Sequence, residues 1–185
     1  LETSSRLGDN TPPTETTSSP KPIASSKPRM LTMKKKRVNF HEDVCFILLD
    51  VETTGLDATS SYVIQLAGKE LGASSDNEFD EYILPPVEVP QKIEEITGIT
   101  DDFLRSGNHR EFKEVYLEFQ EFCNQQANGR HVCFVAHNAR FDIGMMESEL
   151  KRWRTADNTD YSTPVLADVF ASSIDTLALF KDKRL

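Results

Sequence analysis

Apolar and polar positions fall into blocks along this chain, and the blocks differ in period. Val44-Cys45-Phe46-Ile47-Leu48-Leu49 is a continuous apolar run of strand length. Such a run is the pattern of a central strand covered on both faces. Residues 62–71 and 79–84 predict two more strands, and the turn residues at 72–77 join them as in a hairpin. Pro85-Pro86 ends the third strand. Residues 91–97 predict a short helix, with Pro90 near its first turn. Residues 111–127 carry apolar side chains at 112, 115, 116, 119, 122 and 123, a helical stripe that Asn128-Gly129 stops. Residues 131–136 form another short apolar strand. Phe141, Met145, Met146, Leu150 and Trp153 then recur at helical spacing over 140–153, and 173–180 begins a further element. The order β, β, β, α, α, β, α predicts a mixed α/β fold.

The first 33 residues lack this texture. They are rich in Ser, Thr and Pro and almost free of large apolar side chains, so they read as disordered. Lys34, Lys35, Lys36 and Arg37 close the segment. Such a run can act as a nuclear import signal, as a phosphate-contacting patch or simply as a solvated linker end. The expected division is a tail over 1–40 and a domain over 41–185. The first residue is Leu rather than Met, so the sequence is expected to begin inside a longer protein.

Charge follows the same division. Residues 1–40 hold eight Lys/Arg against three Asp/Glu, a net of +5, and residues 41–185 hold 13 against 27, a net of −14. Affinity for nucleic acid comes largely from neutralising phosphates, so an acidic body is poorly suited to gripping long duplex. Any nucleic acid would be handled locally, with metal ions supplying positive charge. The longest apolar runs are far shorter than the ~20 residues that cross a bilayer, and no membrane association is expected. Cys45, Cys123 and Cys133 sit in apolar stretches at spacings that fit neither zinc nor a disulfide framework. They read as buried free thiols, which suggests a reducing, intracellular compartment.

Two segments carry candidate chemistry. Asp50-Val51-Glu52 closes the first apolar strand, and side chains two apart on a strand share a face. Paired carboxylates repel each other unless a cation lies between them, and hard divalent ions prefer such oxygen ligands. Acidic residues at strand ends are also commonly just solvated. Thr53, Thr54, Gly55 and Leu56 follow: Gly55 permits a tight turn, the hydroxyls suit a phosphate or sugar, and Leu56 offers an apolar surface to a base. In the second segment a strand runs into a helix through His137 and Asn138, with Phe141 and Asp142 in the first helical turn. There the macrodipole favours a negative charge and Asn138 can act as the cap.

Together these residues resemble the DnaQ-like 3′→5′ exonucleases of DEDDh type. Residues 46–56 are similar to the family's first motif and Ile64-Gln65-Leu66-Ala67 to its next strand. Ile96-Thr97-Gly98-Ile99-Thr100 is similar to its "GIT" stretch, and residues 136–142 to its second motif. The resemblance implies an RNase H-like mixed β-sheet flanked by helices. It implies Asp50, Glu52 and Asp142 as metal ligands and two divalent ions, Mg²⁺ or Mn²⁺. It also implies Thr53, Thr54, Gly55, Leu56, His137, Asn138 and Phe141 around the 3′ end of single-stranded DNA or RNA. Asp175-Thr176-Leu177 resembles a "DTL" segment that is not itself a ligand. The family's third motif supplies a His as general base and a fourth Asp. No His follows His137 here, so the domain is expected to be C-terminally incomplete and inactive on its own. The competing expectation is an inactive exonuclease fold kept as a module that binds nucleic acid or protein.

Overall fold

The computed structural model describes residues 42–72, 78–157 and 165–181. The expected tail with its basic run, and most of the turn expected at 72–77, lie outside them. Five strands form one sheet: β1 (Val44–Thr53), β2 (Val63–Glu70), β3 (Glu78–Tyr82), β4 (His131–Ala136) and β5 (Ser172–Asp175), in the order β3-β2-β1-β4-β5. β2 is antiparallel to β1, and β3 to β2; β4 is parallel to β1, and β5 to β4. The helices are α1 (Gln91–Thr97), α2 (Asp101–Ser106), α3 (Phe112–Ala127), α4 (Ala139–Asp157) and α5 (Thr176–Lys181). No described helix is long and apolar enough to cross a membrane.

Helices α3 and α4 cover one face of the sheet. Cys45, Ile47, Leu49 and Val51 of β1 meet Val115, Tyr116, Phe119 and Cys123 of α3 and Met145, Met146 and Leu150 of α4 in the main core. The three cysteines are free and buried, as expected. A smaller cluster forms where Leu104 of α2 joins Val89, Ile99 and Ile64 of β2. Central placement of β1 agrees with its apolar run, but its burial alternates, and Leu48 is 40% exposed on the face opposite α3 and α4. A run that is apolar throughout does not reveal that only its odd-numbered positions meet helices.

Several boundaries move for physical reasons. β1 continues past its apolar run to Thr53 because pairing with β2 extends to Thr53 opposite Val63, and Asp50 and Glu52 lie on the strand as expected. α2 was not expected. Its signal is polar: Thr100 accepts a hydrogen bond from Phe103 N at 3.1 Å, and Asp101 and Asp102 occupy its first turn. The element expected over 173–180 divides into β5 and α5.

Gly68 shows how tightly the sheet and α3 meet. A Cβ there would stand 2.7 Å from Phe119 Cε2, and Phe119 is fully buried against Phe79 and Phe134. Gly68→Ala is expected to destabilise the protein by about 1–3 kcal/mol in urea unfolding, because the ring has no free space to enter. Gly144→Ala, on α4 with open space around its Cα, is expected to stabilise by roughly 0.5–1 kcal/mol. Equal effects at the two glycines would rule out this packing account.

Candidate active site

The sheet supplies the site through a gap in its own hydrogen bonding. β4 pairs with β1 only as far as Val135 opposite Leu48. Beyond that point the β4 side of β1 has donors without a strand partner. Asp142, in the first turn of α4, fills this place: its Oδ1 accepts from Val51 N at 3.2 Å, and the side chain is only 3% exposed. The buried carboxylate thus substitutes for a missing strand and fixes α4 against the residue between Asp50 and Glu52. Those two side chains share the other face of β1, opposite Ala67 and Gln65 of β2.

Glu52 and Asp142 both feel the charge of Asp50. Burial raises Asp50 above the ordinary range. Burial and then the charge of Asp50 raise Glu52. Asp142 is pushed up to about 6 by burial, against the lowering effect of backbone N–H donors, with the charges of Asp50 and Asp175 adding to the rise. All three would be easier to ionise beside a cation. As donors they suit a hard divalent ion. Among the described residues, however, no three Asp, Glu, His or Cys side chains gather closely enough to enclose one. The set fits a metal in chemistry and charge, and ion binding would have to draw the carboxylates together.

The turn after β1 is braced from within. Thr53 Oγ1 donates to Gly55 O at 2.6 Å, Thr54 Oγ1 accepts from Tyr62 N at 2.9 Å, and both threonines are buried. A Cβ at Gly55 would stand 2.7 Å from Ser61 Oγ, so a larger residue there would have to displace that hydroxyl. Leu56 is 85% exposed, an unusual position for a large apolar side chain beside an acidic site. Helix α4 holds this turn from below. Glu149 accepts from Val63 N at 2.9 Å, and Arg152 donates to Ala58 O and Ser61 O at 3.1 and 2.7 Å. The i+7 relation of Glu149 to Asp142 was the available signal for this clamp, and it is weak in sequence because one helix-borne carboxylate resembles any other.

In the second segment Phe141 packs against the core, while His137 and Asn138 are exposed. Asn138 has a left-handed backbone, φ 66°, not the extended conformation typical of a cap. Its N–H is bound instead by Asp175 Oδ1 at 3.0 Å, and Thr176 Oγ1 lies 3.2 Å from His137 Nδ1. Burial raises the Asp175 carboxyl, but hydrogen bonds from Asn138, Ala178, Leu177 and Ala139 outweigh it and the net shift is downward.

A mixed five-stranded sheet whose central strand carries acidic residues, backed by a helix with a further buried carboxylate, is an RNase H-like fold. The chain belongs to the exonuclease family typified by RNase T, whose model matches residues 47–183, and is DnaQ-like as its motifs indicate. It is 35% identical over 136 residues to a DNA polymerase III PolC-type of Streptococcus sanguinis, a match covering 73% of this chain and 8% of that protein. The PolC-type polymerase of Lactococcus lactis is 35% identical over 133 residues, 71% of this chain and 7% of its own length. The chain therefore spans under a tenth of these relatives. In fold it resembles product-bound exonuclease I, with TM-score 0.57 at 18% identity over 76% of this chain and 31% of the other. The Escherichia coli exonuclease I complex with a dT13 oligonucleotide gives TM-score 0.56 at 18% identity, over 75% and 29%.

The buried Asp142 should leave a pH signature. An unfolded Asp titrates near about 3.9, so between that value and about 6 the folded protein holds the proton more tightly. The stability this group confers is complete below pH 4 and is lost as pH rises through 6. Asp142→Asn keeps an oxygen for Val51 N and removes the charge. Without metal at pH 7.5 the variant should exceed the wild type by about 1–3 kcal/mol, with the gap closing near pH 4. Adding Mn²⁺ should raise the wild-type Tm and leave that of Asp142→Asn unchanged. A variant less stable than wild type at pH 7.5 would refute the charge account.

Proposed function

We propose that this domain hydrolyses phosphodiester bonds at the 3′ ends of nucleic acid, with Asp50, Glu52 and Asp142 holding two divalent ions, Mg²⁺ or Mn²⁺. The observation that carries the reading is the seating of Asp142 on Val51 N, between Asp50 and Glu52 of β1, with each of the three harder to ionise than an ordinary carboxyl. Bound ions would activate the attacking water and stabilise the leaving oxygen. Asp142, seated on Val51 N, gives one ligand a fixed direction. Exposed Leu56 offers a surface on which the terminal base can rest, and the braced Thr53–Thr54–Gly55 turn keeps it beside Asp50 and Glu52. His137, Asn138 and Phe141 complete the surroundings of the terminal nucleotide. Exonuclease I has been seen with a dT13 oligonucleotide, and the PolC relatives are DNA polymerases, so single-stranded DNA is the first substrate to test, with RNA beside it.

A base must take the proton of the water. Residues 138–185 contain no His, and we expect the 185-residue chain alone to turn over little. The test is cleavage of a 5′-labelled single-stranded oligonucleotide in Mg²⁺ or Mn²⁺ by this chain and by its Asp50→Ala variant. This chain should ladder its substrate slowly from the 3′ end, and Asp50→Ala should slow it further, by about a hundredfold or more. No cleavage by the well-folded chain would favour a binding module. Rapid turnover by this chain would refute the need for a further base.

A further inference from the structure

His137 and Thr176 line a cleft of about 420 Å³ on the sheet, together with Leu48, Asp50 and Val135. Thr176 Oγ1 donates to Ala136 O at 3.2 Å, and the same oxygen lies 3.2 Å from His137 Nδ1. A hydroxyl has one proton, and a carbonyl oxygen can only accept. If that proton is directed to Ala136, Thr176 meets the imidazole as an acceptor, Nδ1 of a neutral ring carries the hydrogen and Nε2 keeps its lone pair; if it is directed to Nδ1, the ring is the Nε2–H tautomer. The junction is secured on both sides: Asp175 Oδ1 receives Asn138 N at 3.0 Å and Leu177 N at 2.9 Å.

We propose that Thr176 is a positioning residue that holds His137 in the Nδ1–H tautomer, so that Nε2 accepts a hydrogen bond from an O–H donor in the cleft. A phosphate oxygen cannot be the partner of this neutral ring, because both atoms are acceptors. The partner is a hydroxyl: the 3′-OH of the terminal sugar, or a water at the scissile bond. Its identity rests on the nucleic-acid reading above; the tautomer does not.

The tautomer can be read directly, without activity. In the full chain with ¹⁵N-labelled histidine at pH 8, long-range ¹H–¹⁵N spectra should show His137 protonated at Nδ1. Thr176→Val keeps the branched shape, removes the acceptor, and should shift the ring towards Nε2–H. Thr176→Ser should restore Nδ1–H. An Nε2–H ring in the wild type, or a ring unmoved by Thr176→Val in a protein with native backbone amide signals, overturns the proposal. Short thymidine oligonucleotides with and without the 3′-OH then identify the donor. An Nε2 shift with the 3′-OH form only assigns the sugar hydroxyl, and a shift with both assigns water. No shift despite binding seen by fluorescence anisotropy overturns the acceptor role. No binding by either oligonucleotide, with the tautomer intact, overturns the nucleic-acid reading and leaves the role of Thr176 standing.

Discussion

The bond from Val51 N to the buried carboxylate of Asp142 is the constraint on which the site depends. A backbone donor at the end of a sheet needs a partner, and a carboxylate out of water needs hydrogen bonds or a counter-charge. Each group answers part of the other's requirement. The result ties the first turn of α4 to the centre of the acidic segment of β1. One bond does not offset the burial of a charge, and the raised pKa of Asp142 records the remainder. The site is thus a place of stored electrostatic cost, which a divalent cation is suited to relieve.

Helix α4 extends this coupling along its length. Its first turn holds Asp142, and two turns later Glu149 and Arg152 grip Val63, Ala58 and Ser61 of the segment joining β1 to β2. Arg152 also lies over the ring of Tyr62, 4.3 Å from its centroid. A shift of α4 would therefore move Asp142 and the Thr53–Leu56 turn together. The β5–α5 junction braces the same helix from the other side, through Asp175 and the Asn138 turn. An active site built from separate segments gains common rigidity in this way, because the supports converge on one helix.

Much of the fold was legible because periodicity reports burial. The α3 stripe and the β4 run appear almost where expected, since each buries a continuous apolar face. Short elements stabilised by polar contacts were harder to read. α2 depends on Thr100 and on Asp101 accepting from Val89 N, a contact across 12 residues that no local pattern contains. β1 ran longer than its apolar run because pairing with β2, not hydrophobicity, decides where a strand ends.

By itself the sequence determined the family and the order of the longer elements. These depend on residue types at short spacing, which local chemistry and hydrophobic period express directly. Tertiary structure alone decided what holds those residues in place. Val51 is 91 residues from Asp142, and Asn138 is 37 from Asp175. Hydrogen bonds at such separations exist only once the sheet order is set, because any Asp or Thr in the chain has the same donors and acceptors until packing chooses its partner.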